Sequence, residues 1–217
     1  MNRFTVTVAV LALAVGVALA GGVATPDAPK PDKDGFYPLF NGKNLEGWKA
    51  SENKDCFKVA DGCIVAHGKR SHLFYDGPVC NHDFRNFELL AEVKTFPKSN
   101  SGIYFHTTYQ EKGWPGKGYE CQVNATHSDR KKTGGLYGVK DVLDNAPNKD
   151  GEWFTYYIKV AGKKVTIKIN DKTTVEYTEP DGTEGGRKID HGTIALQGHD
   201  PGSTVMYRSV KIRPLRG

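Results

Sequence analysis

The sequence lacks a helical repeat and a sustained basic face. After residue 20, no window of eleven or more residues places apolar side chains at a 3.6-residue period, which excludes a helical bundle. The 30 Lys and Arg residues are interspersed with 25 Asp and Glu residues. A nucleic-acid-binding protein needs positive charge gathered on one surface, so this composition predicts no nucleic-acid partner.

Cysteine is scarce as well, and its spacing excludes a common metal site. The four cysteines include no C-x-x-C pair, so a structural zinc site is not expected. Cys56, Cys63 and Cys80 lie close in sequence, and one disulfide among these three is predicted. Cys121 falls on the apolar side of an alternating segment, where a buried thiol is predicted.

The one long apolar run lies at the N-terminus. Residues 1–20 combine a positive start at Arg3, an apolar stretch and an A-x-A motif at 18–20, which together are typical of a cleavable signal peptide. The run is short for a membrane span, so a periplasmic or secreted protein with no membrane span is predicted. Residues 21–34 contain many Pro, Asp and Lys residues and are predicted to be a disordered linker, followed by a single domain at 35–217.

The domain itself contains a series of short alternating segments. Eight or more predicted strands, together with 25 Gly and 11 Pro, indicate an all-β fold of the antiparallel sandwich or jelly-roll type. Two segments, 69–83 and 132–150, show no strand pattern and are predicted to be long irregular loops, either functional or simply packed on the surface. Trp48, Trp153 and Phe154 are predicted to lie in the core.

Several predicted strands carry polar side chains on one face and apolar side chains on the other. In 118–124, Glu120 and Gln122 share one face because side chains alternate along a strand. Two further strands repeat the pattern, so one sheet face would collect six polar residues: Tyr104, His106, Glu120, Gln122, Gln197 and His199. Carboxylates, amides and aromatic rings suit a polyhydroxylated ligand such as a sugar. The alternative is an ordinary solvated sheet face.

Six phrases of the sequence occur in a characteristic order. They are YPLFNGKNLEGWK (37–49), SNSGIYFHT (99–107), GYECQVN (118–124), TGGLYG (133–138), GEWFTYYIKVAGKKVTIKIN (151–170) and GTIALQGHDPGSTVMYRSVKIRPL (192–215). Together they resemble the 3-keto-disaccharide hydrolase domain family, from Phe36 to the end of the chain. The resemblance implies a concanavalin A-like jelly-roll sandwich of two antiparallel sheets, of the lectin/glucanase superfamily, with ligands bound on the concave sheet.

The family resemblance also implies a reaction. Glucanases of this fold use paired acids on one strand in an E-x-D-x-x-E pattern, whereas this chain has Glu120 alone there and would need Glu88 or Glu92 as its second acid. The resembled family instead acts on sugars that are oxidised to a ketone at C3. The ketone acidifies the proton on C2, so that a base can remove it and the group at C1 is expelled, after which water can add.

The resemblance and the residue types together give a set of candidate site residues. Glu120, His106 and His199 are predicted to be the catalytic base and acid, although the family's motif has Arg where this chain has His106. The predicted substrate-binding residues are Gln122, Tyr104, Gln197, Arg70, His72, Tyr137 and Asn100, with Arg70 or Gln122 at the ketone oxygen. No cofactor is required by this chemistry, but His106, Glu120 and His199 could hold a divalent metal as a Lewis acid.

Three functions follow as hypotheses, each with a carbohydrate as ligand. They are a hydrolase or lyase that acts on 3-keto-glycosides, a non-catalytic carbohydrate-binding module, and a conventional glycosidase. Two geometric expectations accompany them. Five side chains should project from one concave sheet face into one cleft, namely Tyr104, His106, Glu120, Gln122 and Gln197. Segment 70–75 should fold over the rim of that cleft.

Overall fold

The computed structural model describes residues 28–216, which fold into two antiparallel sheets packed face to face. The strands, in chain order, are β1 (Tyr37–Pro38), β2 (Trp48–Ala50), β3 (Phe57–Ala60), β4 (Cys63–His67), β5 (Ser71–Tyr75), β6 (Phe87–Thr95), β7 (Asn100–Thr107), β8 (Tyr119–Asn124), β9 (Lys131–Leu136), β10 (Lys140–Leu143), β11 (Phe154–Ala161), β12 (Lys164–Ile169), β13 (Lys172–Thr178), β14 (Thr193–Gly198) and β15 (Thr204–Pro214). Two short 3-10 turns lie at Lys54–Cys56 and Val79–His82.

The two sheets differ in the strands they contain. The back sheet has eight strands in the order β13-β12-β11-β6-β15-β4-β3, with β1 paired to β15. The front sheet has seven strands in the order β10-β9-β8-β7-β14-β5-β2. About half of the neighbouring strands are not consecutive in the chain, and these crossovers are the connectivity of a jelly roll rather than of a simple meander.

The core lies between the sheets and follows the alternation of side chains. On β6, the residues from Phe87 to Val93 at every second position are buried between the sheets. On β8, Cys121 and its apolar neighbours point inward, which leaves the polar residues of that strand outside. The layers are also joined by a hydrogen bond, in which the Tyr156 hydroxyl donates to the Gln122 carbonyl oxygen at 3.1 Å.

The prediction that 69–83 and 132–150 are irregular is wrong. The first segment contains β5, which pairs with β14 and β2, and the second contains all of β10 and most of β9. Every residue of β5 is buried. A strand that is covered on both faces has no polar–apolar alternation, so the pattern used to find strands does not detect it.

The predicted disulfide is also wrong, because all four cysteines are free thiols. Cys56 is buried, Cys63 begins β4 with its sulfur 3.4 Å from the Asp61 carbonyl oxygen, and Cys80 is exposed in the second 3-10 turn. The three thus occupy separate elements despite their closeness in sequence. The predicted burial of Cys121 is confirmed.

The aromatic residues predicted for the core divide into two groups. Trp48 and Phe154 are buried as predicted. Trp153 is partly exposed, and its ring lies 4.8 Å from the Lys94 ammonium and 4.4 Å from the Arg208 guanidinium. The core prediction is wrong for Trp153 because it falls just before β11, on the outer face of the back sheet, where cations can stack on it.

The predicted signal peptide at 1–20 and residues 21–27 of the predicted linker lie outside the described residues. In the rest of that linker, Asp32 accepts a hydrogen bond from Lys211 Nζ at 3.0 Å, and Arg213 donates to the Asp34 carbonyl oxygen at 2.8 Å. These bonds attach the segment to β15. Within residues 28–216, no helix has the length and apolar character that a membrane crossing requires.

Candidate active site

A cleft of about 240 Å³ opens on the outer face of the front sheet. Seven of the ten predicted site residues line it: Asn100, Tyr104, Glu120, Gln122, Tyr137, Gln197 and His199. The other three, His106, Arg70 and His72, do not. The expectation that Tyr104, His106, Glu120, Gln122 and Gln197 share one sheet face and one cleft therefore holds for four of these five residues, and fails for His106.

Strand register explains why these side chains converge. Tyr104 on β7 lies directly opposite Glu120 on β8, and Gly102 lies opposite Gln122. Residues directly opposite each other in an antiparallel pair project from the same face. Since β14 flanks β7 on the other side, Gln197 joins the same face from the neighbouring strand.

Glu120 is held by two neutral hydrogen-bond donors. The Tyr104 hydroxyl donates to Glu120 Oε2 at 2.8 Å, and Gln197 Nε2 donates to Glu120 Oε1 at 2.8 Å. Gln197 Nε2 also lies 3.1 Å from the Tyr104 hydroxyl, so the three side chains form a closed triangle. Such mutual bonding fixes the carboxylate in a single orientation at the cleft floor.

The ionisation of Glu120 suits a base that works near neutral pH. Burial raises the pKa of Glu120 from 4.5 to about 7. The hydrogen bonds from Tyr104 and Gln197 and the positive charge of Arg187 lower this pKa, but by less than burial raises it. The negative charge of Asp129 adds to the rise. A carboxylate with this pKa is a stronger proton acceptor than an exposed one and is still largely ionised above pH 7.

A glycine makes room for this carboxylate. A Cβ added at Gly102 would lie 2.8 Å from Glu120 Cγ and 3.0 Å from Cδ, closer than side-chain carbons approach one another. The absence of a side chain at Gly102 therefore lets Glu120 lie across β7 toward Tyr104 and Gln197. Gly102 of the SNSGIYF sequence thus leaves the space that the Glu120 side chain occupies.

Three amide oxygens in the cleft wall are buried without a hydrogen-bond partner. They are Asn100 Oδ1, Gln122 Oε1 and Gln197 Oε1. Buried acceptors are nearly always paired in folded proteins, with protein groups, ordered water or a ligand, so these three oxygens are acceptors that a ligand in the cleft can use. Several hydroxyl groups on one small molecule, as on a sugar, can supply the donors.

His199 is oriented by its neighbour in sequence. His199 Nδ1 lies 2.7 Å from Asp200 Oδ2, and Asp200 in turn accepts from Ser203 Oγ and from the Gly202 amide at 2.8 Å each. Burial raises the pKa of Asp200, but these bonds lower it more, so it stays below its usual value. A charged Asp200 keeps the proton of His199 on Nδ1 and leaves Nε2 free to exchange a proton in the cleft.

The predicted metal group is not assembled, because His106 lies away from Glu120 and His199. Among residues 28–216, one other group could hold an ion, namely His127, His199 and Asp200, whose ligand atoms lie within 4.8 Å of one another. Two imidazoles and a carboxylate are a donor set that suits divalent transition ions. Some of these atoms are already engaged, since Asp200 holds His199 and His127 Nδ1 accepts the amide of Asp129 at 3.1 Å.

A β-bulge separates His106 from the cleft. On β7, Tyr104 pairs with Ala195 of β14, but Thr107 pairs with Thr193, so two residues of β7 oppose one of β14. His106 takes up the extra position with a left-handed φ of 54°. A bulge of this kind breaks the alternation of faces, so the side chains after it no longer follow the pattern before it.

The predicted placement of His106 at the catalytic face is therefore wrong. Its ring packs against Phe105 and Phe87, with centroids 5.2 Å and 5.7 Å apart, and its Nε2 lies 2.8 Å from the Arg85 carbonyl oxygen. Its Nδ1 accepts the amide of Asp190 at 3.1 Å. Burial lowers the pKa of His106 to about 4, so it is a neutral packing residue at neutral pH.

Arg70 and His72 do not line the cleft. Residues 71–75 form strand β5, so the segment 70–75 does not fold over the rim as expected. Arg70 donates to Glu52 Oε1 at 2.9 Å, and its guanidinium lies 5.1 Å from the Trp114 ring. His72 is fully buried, with its ring edge-on to Tyr104 at 5.3 Å and to Trp114 at 5.5 Å. Burial, helped by the charge of Arg70, lowers the pKa of His72 to about 4.

Five residues that line the cleft are absent from the sequence prediction: Trp114, Pro115, Gly118, Asp129 and Arg187. Trp114, Asp129 and Arg187 all come from loops, and Arg187 donates through Nη2 to the Tyr137 carbonyl oxygen. The sequence offers one signal, the G-W-P-G turn around Trp114, where a large aromatic ring in a tight turn has little chance of burial. Asp129 and Arg187 carry no comparable signal.

The second acid of a glucanase is not found where the sequence placed it. Glu88 and Glu92 lie on β6 of the back sheet, where Glu88 binds Tyr157 and Arg213, and Glu92 pairs with Arg208. They cannot reach a sugar in the front cleft. Within the described residues, Asp129 is the carboxylate that lines this cleft besides Glu120.

Comparison with known proteins gives a family and a relative. The family model described as 3-keto-alpha-glucoside-1,2-lyase-like domain matches residues 35–213. A curated 3-keto-disaccharide hydrolase of Bacteroides thetaiotaomicron is 28% identical over an alignment of 173 residues, and the match covers 67% of this chain and 59% of that relative. The chain thus spans less than two thirds of the relative's length.

Solved structures share the fold. A candidate glycosyl hydrolase from Parabacteroides distasonis ATCC 8503 has a TM-score of 0.70 and 24% identity, covering 84% of this chain and 95% of that one. The carbohydrate binding module CBM66 from Bacillus subtilis has a TM-score of 0.55 and 11% identity, covering 77% and 95%. At these identities the likeness concerns the fold alone, and it confirms the predicted concanavalin A-like sandwich.

Proposed function

Because the chain belongs to the family described as the 3-keto-alpha-glucoside-1,2-lyase-like domain, which is carbohydrate-active and hydrolase-like, we propose that it cleaves the glycosidic bond of 3-keto-glycosides. The observation that carries the proposal is Glu120, a carboxylate with a raised pKa, held by neutral donors in a cleft with three unpaired amide oxygens. One well-placed base is what removal of a C2 proton beside a ketone requires.

In the proposed reaction, Glu120 takes the proton from C2 and the electron pair of the C2–H bond moves into the enolate of the C3 ketone. The enolate then reforms the ketone and expels the oxygen at C1, leaving a C1–C2 double bond. In this step His199 carries a proton on both ring nitrogens, gives the Nε2 proton to the departing oxygen, and is left as the neutral ring whose Nδ1–H is held by Asp200. Addition of water across the double bond completes a net hydrolysis, and without water the product is that of elimination.

The ketone oxygen gathers negative charge in this step and needs a donor. Gln122 and Arg187 both line the cleft and can donate to it, whereas Arg70 is engaged by Glu52 outside the cleft. Preorganised donors of this kind stabilise the enolate relative to the substrate, which lowers the barrier. In this proposal Arg187, and not Arg70, donates to the ketone oxygen together with Gln122.

The proposal is tested by turnover of matched substrates. The purified domain should release the aglycone from a 3-keto-glucoside and leave the parent glucoside, which lacks the ketone, intact. Deuterium at C2 should slow the reaction if proton removal limits the rate. Equal inactivity on both compounds, combined with tight binding of either one, would mean a carbohydrate-binding module instead.

A second candidate, a conventional glycosidase, is favoured by the presence of Asp129 beside Glu120 in the cleft. Two carboxyl groups flanking one bond are the requirement of that mechanism. It predicts cleavage of the parent glucoside and loss of that activity in Asp129→Asn. The 3-keto mechanism predicts that Asp129→Asn retains turnover of the oxidised sugar.

We further propose that the protein acts outside the cytoplasm, on the basis of the predicted signal peptide at 1–20. Expression of the full chain in a Gram-negative host, followed by separation of periplasm and cytoplasm, tests this. The expected result is a periplasmic product whose N-terminus begins after Ala20. A product that retains Arg3 in the cytoplasm would contradict it.

A further inference from the structure

Trp114 is exposed at the cleft although it is the largest kind of apolar side chain. Within residues 28–216, three large hydrophobic side chains are markedly exposed, and Trp114, at 45%, is the aromatic one. It lines the cleft together with Pro115. Exposed apolar surface inside a concave site usually marks a contact with a ligand.

The ring is supported from below by other side chains. The His72 ring meets it edge-on at 5.5 Å, the His199 ring lies 5.3 Å from it, and the Arg70 guanidinium lies 5.1 Å from it. His72 carries both ring nitrogens buried and unpaired, and its lowered pKa keeps it neutral, so it acts as an apolar support. Trp114 thus rests on packed groups and does not extend freely into solvent.

The backbone around Trp114 is fixed by side-chain hydrogen bonds. Gln110 Nε2 donates to the carbonyl oxygen of Trp114 at 2.8 Å, and Gln110 Oε1 accepts the amide of Gly116 at 3.1 Å. Glu52 Oε1 accepts the amide of Gly113 at 2.9 Å. A loop with no regular structure that is bonded in this way presents a rigid surface, which lowers the entropic cost of stacking a ligand on it.

We propose that Trp114 is the platform for the aglycone, and that the ligands of this cleft carry a flat apolar face next to the bond at C1. The inference rests on the proposed function in one respect: His199, which touches Trp114, is the acid that protonates the departing oxygen. The group attached to that oxygen must lie beside His199 and therefore over Trp114. Aromatic rings stack on an indole ring, and the apolar face of a pyranose ring can do the same.

Binding measurements test the platform separately from the chemistry. The protein carries Glu120→Gln, so that no ligand is consumed, and dissociation constants are measured by calorimetry for methyl, phenyl and glucosyl 3-keto-glucosides. The phenyl or glucosyl compound should bind about tenfold more tightly than the methyl compound. Adding Trp114→Ala should reduce the ratio of the methyl dissociation constant to the phenyl or glucosyl one to about one. Trp114→Phe should keep most of this ratio.

Trp153→Ala is the matched control, because it removes the same side chain from the back sheet and should leave the ratio unchanged. A preference for phenyl over glucosyl identifies an aromatic aglycone, and the reverse identifies a second sugar. A ratio that survives Trp114→Ala, or no binding of any of the three compounds, overturns the platform. If the ratio depends on Trp114 while the parent protein turns over no 3-keto-glucoside, the proposed reaction fails and the platform stands.

Discussion

Glu88 and Glu120 occupy comparable places on the two sheets. Each projects from the outer face of a strand flanked on both sides, and each accepts a tyrosine hydroxyl at 2.8 Å, from Tyr157 and Tyr104 respectively. Their remaining partners differ. Glu88 is paired with Arg213 and Lys159, whereas the second partner of Glu120 is the neutral amide of Gln197.

The pKa values of the two carboxyls are shifted in opposite directions, because the partners and the effect of burial both differ between them. Burial raises the pKa of Glu88, but the bonds from Tyr157 and Arg213 and the charges of Arg213 and Lys159 lower it more, so the result is below the usual 4.5. Burial raises the pKa of Glu120 to about 7, because neutral donors offset it less. The carboxylate of Glu88, which is paired with cations, stabilises the sheet. The carboxylate of Glu120, which is bonded by neutral donors, keeps its affinity for a proton.

The largest expected effect comes from removing each carboxylate in turn. Glu120→Gln should lower turnover of a 3-keto-glucoside by about 10²- to 10⁴-fold, since the proton acceptor is lost while size is kept. Glu88→Gln should leave turnover within about twofold and instead lower the free energy of unfolding by about 1–2 kcal/mol, because two cations lose their partner. Steady-state kinetics and urea unfolding measure the two quantities. Full turnover by Glu120→Gln would mean that the base is elsewhere.

A smaller effect should follow from displacing Glu120 without changing it. Gly102→Ala places a Cβ within 2.8 Å of Glu120 Cγ, so the carboxylate must move from its bonds with Tyr104 and Gln197. A shift of this size should cost about 10- to 100-fold in turnover. The double variant Gly102→Ala/Glu120→Gln should be no slower than Glu120→Gln alone, because both changes act through one group. Multiplied losses in the double variant would contradict this.

The two carboxyls should also make the free energy of unfolding depend on pH with opposite signs. Between pH 4.5 and about 7 the folded protein binds more protons at Glu120 than the unfolded chain does, so the free energy of unfolding falls as pH rises through this range. In Glu120→Gln, the decrease in the free energy of unfolding between pH 5 and pH 8 should be smaller by about 1–3 kcal/mol. Urea unfolding at the two pH values measures it. Glu88 has a lowered pKa, so its stabilisation is present above 4.5 and is lost as pH falls below it. Parallel pH profiles for the parent and Glu120→Gln would disprove the raised pKa.

The smallest expected effect is a shift of the pH profile on removal of Arg187, a cation that lines the cleft with Glu120. The charge of Arg187 lowers the pKa of Glu120, so Arg187→Gln should move the acidic limb of the kcat/KM profile upward by about half a pH unit. Arg130→Gln is the control, because Arg130 is exposed and pairs with Asp144 outside the cleft. An acidic limb that stays in place in Arg187→Gln would indicate that another group titrates there.

Much of this arrangement could be predicted from alternation alone. Side chains change face at every residue of a strand, so Glu120 and Gln122 had to share a face once Cys121 was placed in the core. The same rule failed at β5, which is buried on both faces, and at His106, where one inserted residue reverses the faces. Alternation is a property of regular, half-buried strands and carries no information about a bulge.

The loop residues of the site could not be predicted for a different reason. Trp114, Asp129 and Arg187 reach the cleft through the paths of their loops, and those paths depend on tertiary bonds. The bond from Gly113 to Glu52, for example, joins residues 61 positions apart. No local pattern encodes such a contact, whereas the strand residues are placed by their nearest neighbours.

The β-bulge at the end of β7 bears on how this site could change during evolution. Segment 108–118, which carries Trp114, begins immediately after β7 ends at Thr107. A bulge bends its strand and increases the local twist, so the left-handed backbone at His106 sets the direction in which the segment leaves the sheet. A β-branched residue at this position would disfavour that backbone conformation and re-aim Trp114 without touching it. Preference for one aglycone over another could thus drift through a position that makes no contact with the sugar.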